Sequence, residues 1–121
     1  AAFRLPKASD DEQVRRRTAI QEATHGAAEV PLETAREALS LLNSLPELAS
    51  SGNSNAVTDV GVAGLLAGAA CKGALFNVEI NARSLPDELG APLLEELDGL
   101  RASAKQISRA VMDSVNKRIN D

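Results

Sequence analysis

Residues 56–82 read AVTDVGVAGLLAGAACKGALFNVEINA. Asp59, Lys72 and Glu79 are the charged positions of this stretch, and Arg83 follows it. A helix that is apolar on nearly all sides belongs at the centre of a bundle, where neighbours cover it. Gly61, Gly64, Gly68 and Gly73 recur through it. Each costs up to about 1 kcal/mol of helix propensity relative to Ala. A buried helix carries them where a neighbouring backbone, or a ligand, must come close.

Just upstream, Ser50-Ser51-Gly52-Asn53-Ser54-Asn55 has the composition of a turn. Asn53 or Asn55 can cap the central helix. Further back, Ser9-Asp10-Asp11-Glu12 fits a capping box, with Ser9 as N-cap and Glu12 reaching back to it. From there Val14, Ile20, Ala23, Ala27 and Val30 fall on one helical face. Pro31 breaks or kinks this pattern. It resumes through Leu32, Ala35, Leu39 and Leu42, which predicts one long kinked helix or two collinear ones ending near Ser51. Ala1 to Leu5 reads as a helix end stopped by Pro6, and an opening of that kind predicts that the sequence is part of a longer polypeptide.

Downstream, Ser84 to Pro92 reads as a loop with two prolines. A last helix is predicted from near Ala91. Its stripe, Leu93, Leu97, Leu100, Ala104, Ile107, Val111 and Val115, is heptad-like. Arg101, Lys105, Arg109, Lys117 and Arg118 load its later half and complement the helix dipole. No segment alternates with period two. The fold class is therefore all-α: an antiparallel helical bundle with a long buried central helix, one domain over residues 1–121.

The 121 residues contain two Phe, no Tyr and no Trp, at 44% hydrophobic content. The core must be built from Ala, Val, Leu and Ile, which favours closely packed helices. The net charge is −4 with both signs interspersed. Arg15-Arg16-Arg17 lies among acidic neighbours and reads as a solvated face. Without a basic stripe or a stacking platform, the pattern is not that of a nucleic-acid binder. The uncharged run Val60 to Cys71 is shorter than the ~20 residues a membrane span takes, so no membrane association is expected. Cys71 is the sole cysteine, so no internal disulfide or CxxC metal site forms. It fits a small core residue in a reducing compartment, and a cytoplasmic location is expected. His25, with Glu22 and Glu29 nearby, reads as a surface histidine; no metal site is expected.

Asn55 and Asp59 are four apart, as are Asn77 and Asn81, so each pair shares a helix face. Asp59 and Asn77 are separated by whole turns. All four therefore lie near one stripe, but the pairs are about 27 Å apart along the axis. They serve two ends of an extended ligand, two sites, or one site and one packing contact. Structural hydrogen bonding of the amides, and a plain first-turn charge for Asp59, are the alternatives. Lys7, just after Leu5-Pro6, is either a solvated lysine or a site residue.

Four segments in order carry a resemblance: Leu5-Pro6-Lys7, Val30-Pro31-Leu32, Gly52-Asn53-Ser54-Asn55 with Asp59, and Asn77-Val78-Glu79-Ile80-Asn81. Together they resemble the formiminotransferase-cyclodeaminase C-terminal domain family, which includes bacterial methenyltetrahydrofolate cyclohydrolases. The resemblance implies an all-helical homodimer that binds tetrahydrofolate derivatives and needs no cofactor beyond that substrate. Its two activities are opening of 5,10-methenyltetrahydrofolate by water to 10-formyltetrahydrofolate, and closure of 5-formiminotetrahydrofolate with release of ammonia. Both need proton transfer around one tetrahedral carbon, for which a carboxylate and an ammonium are suitable tools. By the resemblance, Asp59 and Lys7 are the catalytic candidates. Asn53, Asn55, Asn77 and Asn81 are the substrate-binding candidates. The family's Gly-rich N-terminal segment is absent here, so the chain is expected to be incomplete at that end and to leave an apolar face of the central helix uncovered. A non-catalytic helical association module is the reading from another functional class, and an unrelated helical bundle the plainest one.

Overall fold

The computed structural model describes all residues 1–121. Three helices follow one another: α1 over Asp10–Ser51, α2 over Val57–Arg83 and α3 over Asp87–Asn120. Short 3-10 turns at Ala2–Arg4 and Ser54–Ala56 precede α1 and α2. No strand is present. The chain runs up, down and up again. Thus Asn81 near the end of α2 meets Ala27 early in α1, while Arg118 at the end of α3 meets Ser50 and Gly52 at the end of α1.

The capping box forms as the sequence predicts. Ser9 Oγ accepts from the Glu12 amide at 3.2 Å, and Glu12 Oε2 accepts from the Ser9 amide at 3.1 Å. α1 then continues through Pro31 and Pro46 as one 42-residue helix. Each proline removes an i→i−4 donor, so continuity requires that the freed carbonyl be tolerated. At the far end, Arg118 donates to the Ser50 and Gly52 carbonyls, the latter at 2.9 Å. It thereby takes up acceptors that a helix C-terminus leaves open.

The predicted loop over Ser84 to Pro92 is too long. It spans Ser84 to Pro86, and α3 begins at Asp87 with Pro86 as N-cap. The amides of Leu89 and Gly90 both donate to the Pro86 carbonyl at 2.9 Å, and Asp87 and Glu88 supply first-turn charge that favours the helix N-terminus. Pro92 is absorbed on an exposed part of the second turn. The corner is tight at Gly90, where a Cβ would run into the Ala82 backbone carbonyl.

Packing follows the composition. Of 121 residues 22 are buried, and none is polar or charged. One core cluster holds Leu32, Leu75, Val78 and Leu97 with several alanines; a second holds Leu42, Leu45, Val60 and Val111. Gly61, Gly64 and Gly68 face α3. A Cβ on Gly64 would stand 2.8 Å from Val111 Cγ1, so glycine here sets how closely α2 and α3 approach. Cys71 is fully buried against α1, with Sγ 3.6 Å from the Ala35 carbonyl; burial raises its thiol pKa, consistent with a core residue.

α2 is the central helix, but it is covered on one flank only. Val62, Leu65, Leu66, Phe76 and Ile80 are 54–70% exposed. Three helices cannot surround one of their own number. By length and composition alone, Ser54–Arg83 is apolar enough to cross a bilayer. It exceeds the Val60–Cys71 run because its charges are widely spaced. Here its inner flank is the core of the bundle.

Two ion-pair clusters hold the helices at their edges. Arg36 of α1 grips Glu96 of α3 with two bonds, 2.7 and 2.8 Å, and Glu33 at 3.1 Å. Glu79 of α2 accepts from Arg101 of α3 and from Arg83, each at 2.8 Å. Arg36 holds the Glu96 carboxyl, and Arg101 with Arg83 holds the Glu79 carboxyl, below the usual carboxylate range. A carboxylate whose pKa is lower folded than unfolded stabilises above its unfolded pKa, and that contribution fades as pH falls through the folded value. Acidification from about pH 4–5 downward is therefore expected to lower the urea midpoint. Glu96→Gln should remove part of that acid dependence; a variant that keeps all of it would show the pair to be idle, as exposed pairs often are.

Candidate functional site

Asn81 sits one turn from the end of α2 and is half-buried. Its Nδ2 donates to the Ala27 carbonyl of α1 at 3.3 Å and to the Asn77 carbonyl at 2.9 Å. Ala27 is the residue four before Pro31, so its carbonyl is the one that the proline leaves without a helical donor. An amide from the neighbouring helix fills that vacancy. Pro31 and Asn81 are thus two halves of one device that lets α1 continue unbroken past a proline.

Asn77 Nδ2 donates to the Gly73 carbonyl at 3.4 Å, and Asn77 is exposed. Around the two amides lies a recess of about 620 Å³ between α1 and α2, walled by Val30, Pro31, Ala70 and Ala74 among others. Small residues open it and the two asparagines supply its polar groups.

Lys7 lies in a separate recess, about 520 Å³, where the N-terminal segment meets α1 near the Ser84–Pro86 corner. Arg16 and Arg17 line it as well. Arg16 stacks 5.8 Å from the Phe3 ring centre and donates to the Phe3 carbonyl at 3.5 Å. Its Nε is buried with no partner. Arg15 and Arg17 are exposed, as the solvated run predicts, whereas Arg16 is half-buried. With Arg17 and Lys7 it lines a cationic hollow, because the segment before Ser9 folds back onto Arg16, and nothing in local spacing announces that.

At the other end, Asp59 occupies the first turn of α2. It shares a recess of about 360 Å³ with Leu48, Gly52, Asn53 and Val60. Asn53 Oδ1 accepts from the Asn55 amide at 3.0 Å, which caps the short turn before α2. Asp59 is exposed and has neither an ion pair nor a hydrogen bond. Asn55 does not line this recess.

The predicted residues therefore fall into two groups. Toward one end of α2, Asn77 and Asn81 line one recess and Lys7 lines another; Asn53, Asn55 and Asp59 cluster at the opposite end. From Asp59 to the Ser84 corner beside Lys7 is about 37 Å at 1.5 Å per helical residue. Within one chain, Asp59 and Lys7 do not meet. His25 stays at the surface, 3.9 Å from Glu29, and no group of three His, Cys, Asp or Glu side chains is arranged to hold a metal.

The family model described as formiminotransferase-cyclodeaminase matches residues 1–98. This chain belongs to that family. A methenyltetrahydrofolate cyclohydrolase from Methylorubrum extorquens is 37% identical over 120 residues, covering 98% of this chain and 58% of the relative. Formimidoyltransferase-cyclodeaminases from Gallus gallus and Sus scrofa are 36% and 34% identical over 118 residues, 97% of this chain and 22% of each relative. The chain thus spans little more than half the length of the first relative and about a fifth of the other two.

Within this chain, Asn81→Ala is expected to cost about 0.5–1.5 kcal/mol, the net worth of a hydrogen bond to a carbonyl that water can reach. Pairing Asn81→Ala with Pro31→Ala should recover much of that loss, since the restored amide satisfies Ala27 from within α1. Urea unfolding of the two single variants and the double variant checks it; losses that simply add would refute the coupling.

Proposed function

We propose that this chain is the helical folate-binding part of a methenyltetrahydrofolate cyclohydrolase, which adds water to 5,10-methenyltetrahydrofolate and releases 10-formyltetrahydrofolate. The observation that carries this reading is spatial. Pro31 of the VPL segment and the two asparagines of NVEIN line one recess between α1 and α2, and Lys7 of LPK lines a second recess beside the corner that follows α2. An apolar recess with two amides suits a flat heterocycle with alternating donors and acceptors, because each amide offers both. Lys7, Arg16 and Arg17 of the second recess suit the carboxylates of the folate's glutamate part. The name borne by the Methylorubrum relative, similar over nearly all of this chain, supports the choice of reaction.

In the reaction, water forms a bond to the methenyl carbon and gives up a proton. The bond from that carbon to N5 then breaks as the added hydroxyl gives up its proton and becomes the carbonyl, N5 gains a proton, and the formyl group stays on N10, with one proton released overall. An unpaired carboxylate is a suitable acceptor for the water's proton; Asp59 is the unpaired carboxylate among the candidates, and, about 37 Å from the Lys7 end within one chain, it would serve this site only from the second chain of a homodimer. Lys7 acts here by binding rather than by proton transfer at the same carbon.

Formiminotetrahydrofolate cyclodeaminase activity is the second reading, favoured by the vertebrate relatives at 33–36% identity. The same recesses would serve it, with ammonia as the leaving group. Titration with 5-formyltetrahydrofolate for binding, then loss of absorbance from 5,10-methenyltetrahydrofolate and ammonia release from 5-formiminotetrahydrofolate, separate the readings. Binding with methenyl loss supports the cyclohydrolase, and ammonia release supports the cyclodeaminase. No binding at all would leave a non-catalytic helical association module.

A further inference from the structure

The recess between α1 and α2 is lined by three polar side chains, Thr34, Asn77 and Asn81, and by no charged one. Each of the three already donates to a carbonyl of the helix walls. Thr34 Oγ1 donates to the Val30 carbonyl at 3.3 Å, and Asn77 Nδ2 to the Gly73 carbonyl at 3.4 Å. Asn81 is held at two points, because its Nδ2 donates both to Ala27 and to Asn77.

A free carboxamide has two N–H hydrogens and one accepting oxygen. In place, the walls claim most of the hydrogens. Asn81 has both of its own engaged. Its orientation is fixed as well, since two carbonyls face it and only the nitrogen end of the amide can answer them. Asn81 Oδ1 is the end left over, and no group of the chain donates to it. Asn77 keeps one N–H and its oxygen, and the Thr34 hydroxyl keeps its lone pairs. The free polar positions of this uncharged recess are therefore mostly acceptors.

The cause lies in α1. Pro31 has no N–H, so the Ala27 carbonyl takes its donor from Asn81. With an ordinary residue at position 31, the backbone would satisfy Ala27, and the Asn81 amide could turn and offer a hydrogen.

We infer that the recess selects its ligand by a neutral edge of N–H donors, and that Pro31, acting through Asn81, is the positioning residue that sets this preference. The 2-amino group and the neighbouring ring N–H of a reduced pterin form such an edge. The choice of ligand rests on the folate reading above; the preference for donors stands on the hydrogen bonds alone. A carbonyl edge in the same place would set its lone pairs against Asn81 Oδ1. A carboxylate would do so with a full charge, a repulsion that excludes the wrong end of a ligand. The glutamate carboxylates are thereby left to the cationic recess of Lys7, Arg16 and Arg17.

The orientation of Asn81 is tested without ligand. In side-chain amide NMR, both Asn81 Nδ2 protons should exchange more slowly than those of Asn53, whose Oδ1 is bonded but whose Nδ2 is free. In Pro31→Ala, a change that favours the helix, Asn81 should lose part of that protection. Asn81 protons that exchange as fast as those of Asn53 in the unmutated chain overturn the inference.

The preference is tested by calorimetric titration with 5-formyltetrahydrofolate and with its analogue carrying a methyl group in place of the 2-amino group. The methyl group is of similar size and donates nothing. The 2-amino compound should bind about 3- to 10-fold more tightly, the worth of one hydrogen bond that water can reach. In Pro31→Ala the two affinities should draw together, because the amide no longer holds its oxygen toward the ligand. A ratio of affinities is unmoved by a general loss of stability, so it separates positioning from folding. Equal binding of both compounds by the unmutated chain overturns the inference and leaves the folate reading standing. A preference that survives Pro31→Ala undiminished overturns the role of Pro31. Binding of neither compound ends the folate reading and the choice of ligand with it.

Discussion

Asp59→Asn is expected to lower methenyl ring opening by about 10²- to 10⁴-fold, the usual contribution of a positioned general base, while changing stability little. The side chain is exposed, has no hydrogen-bond or ion-pair partner, and sits in the first turn of α2. An asparagine keeps its shape but cannot accept the water's proton. The structural cost is the lost attraction between a carboxylate and a helix N-terminus, about 0.3–1 kcal/mol. Decay of methenyl absorbance at saturating substrate measures the rate, and thermal melting measures the cost. Lys7→Ala should behave differently, raising KM more than it lowers kcat, because its cationic recess binds rather than reacts. Equal turnover in Asp59→Asn and unmutated protein would reduce Asp59 to a first-turn charge and end the catalytic assignment.

Leu32→Ala is expected to remove about 2–5 kcal/mol of stability, a large share of the 5–15 kcal/mol typical of a folded domain. Leu32 has no exposed surface and packs in a cluster with Leu75, Val78 and Leu97. A core poor in aromatic side chains and rich in alanine has few large groups that can move into the space left behind. Urea denaturation measures the loss. Leu41→Ala, at a residue half exposed on the same helix, should cost well under half as much. Similar costs at the two positions would show that the cluster relaxes freely around Leu32.

The two predictions bear on different levels of the molecule, and the sequence reached them unequally. The core was legible because a 3.6-residue period is local: the stripe from Leu93 to Val115 packs as its spacing predicts, with Leu97, Val111 and Val115 buried. The Ser9 capping box was legible for the same reason. The start of α3 was misjudged by four residues, since Pro86 and Pro92 look alike in sequence. Contact at the Gly90 corner and first-turn charge from Asp87 and Glu88 set the boundary there. Pro31 reads as a helix breaker until Asn81, 50 positions later in the chain, is seen to occupy the carbonyl that it frees.

The sequence alone determined that this is an all-α chain, where its helices run apart from that one boundary, which family it resembles and which polar residues merit attention, because periodicity, caps and motifs are properties of neighbouring residues. Tertiary structure alone decided that Lys7 stands with Arg16 and Arg17, that Asn81 reaches Ala27 of α1 while Asp59 stands about 37 Å from the Lys7 end, and that one flank of α2 lies open. Which residues meet depends on how rigid helices about 40–60 Å long are laid side by side, and no local pattern in a sequence records that arrangement.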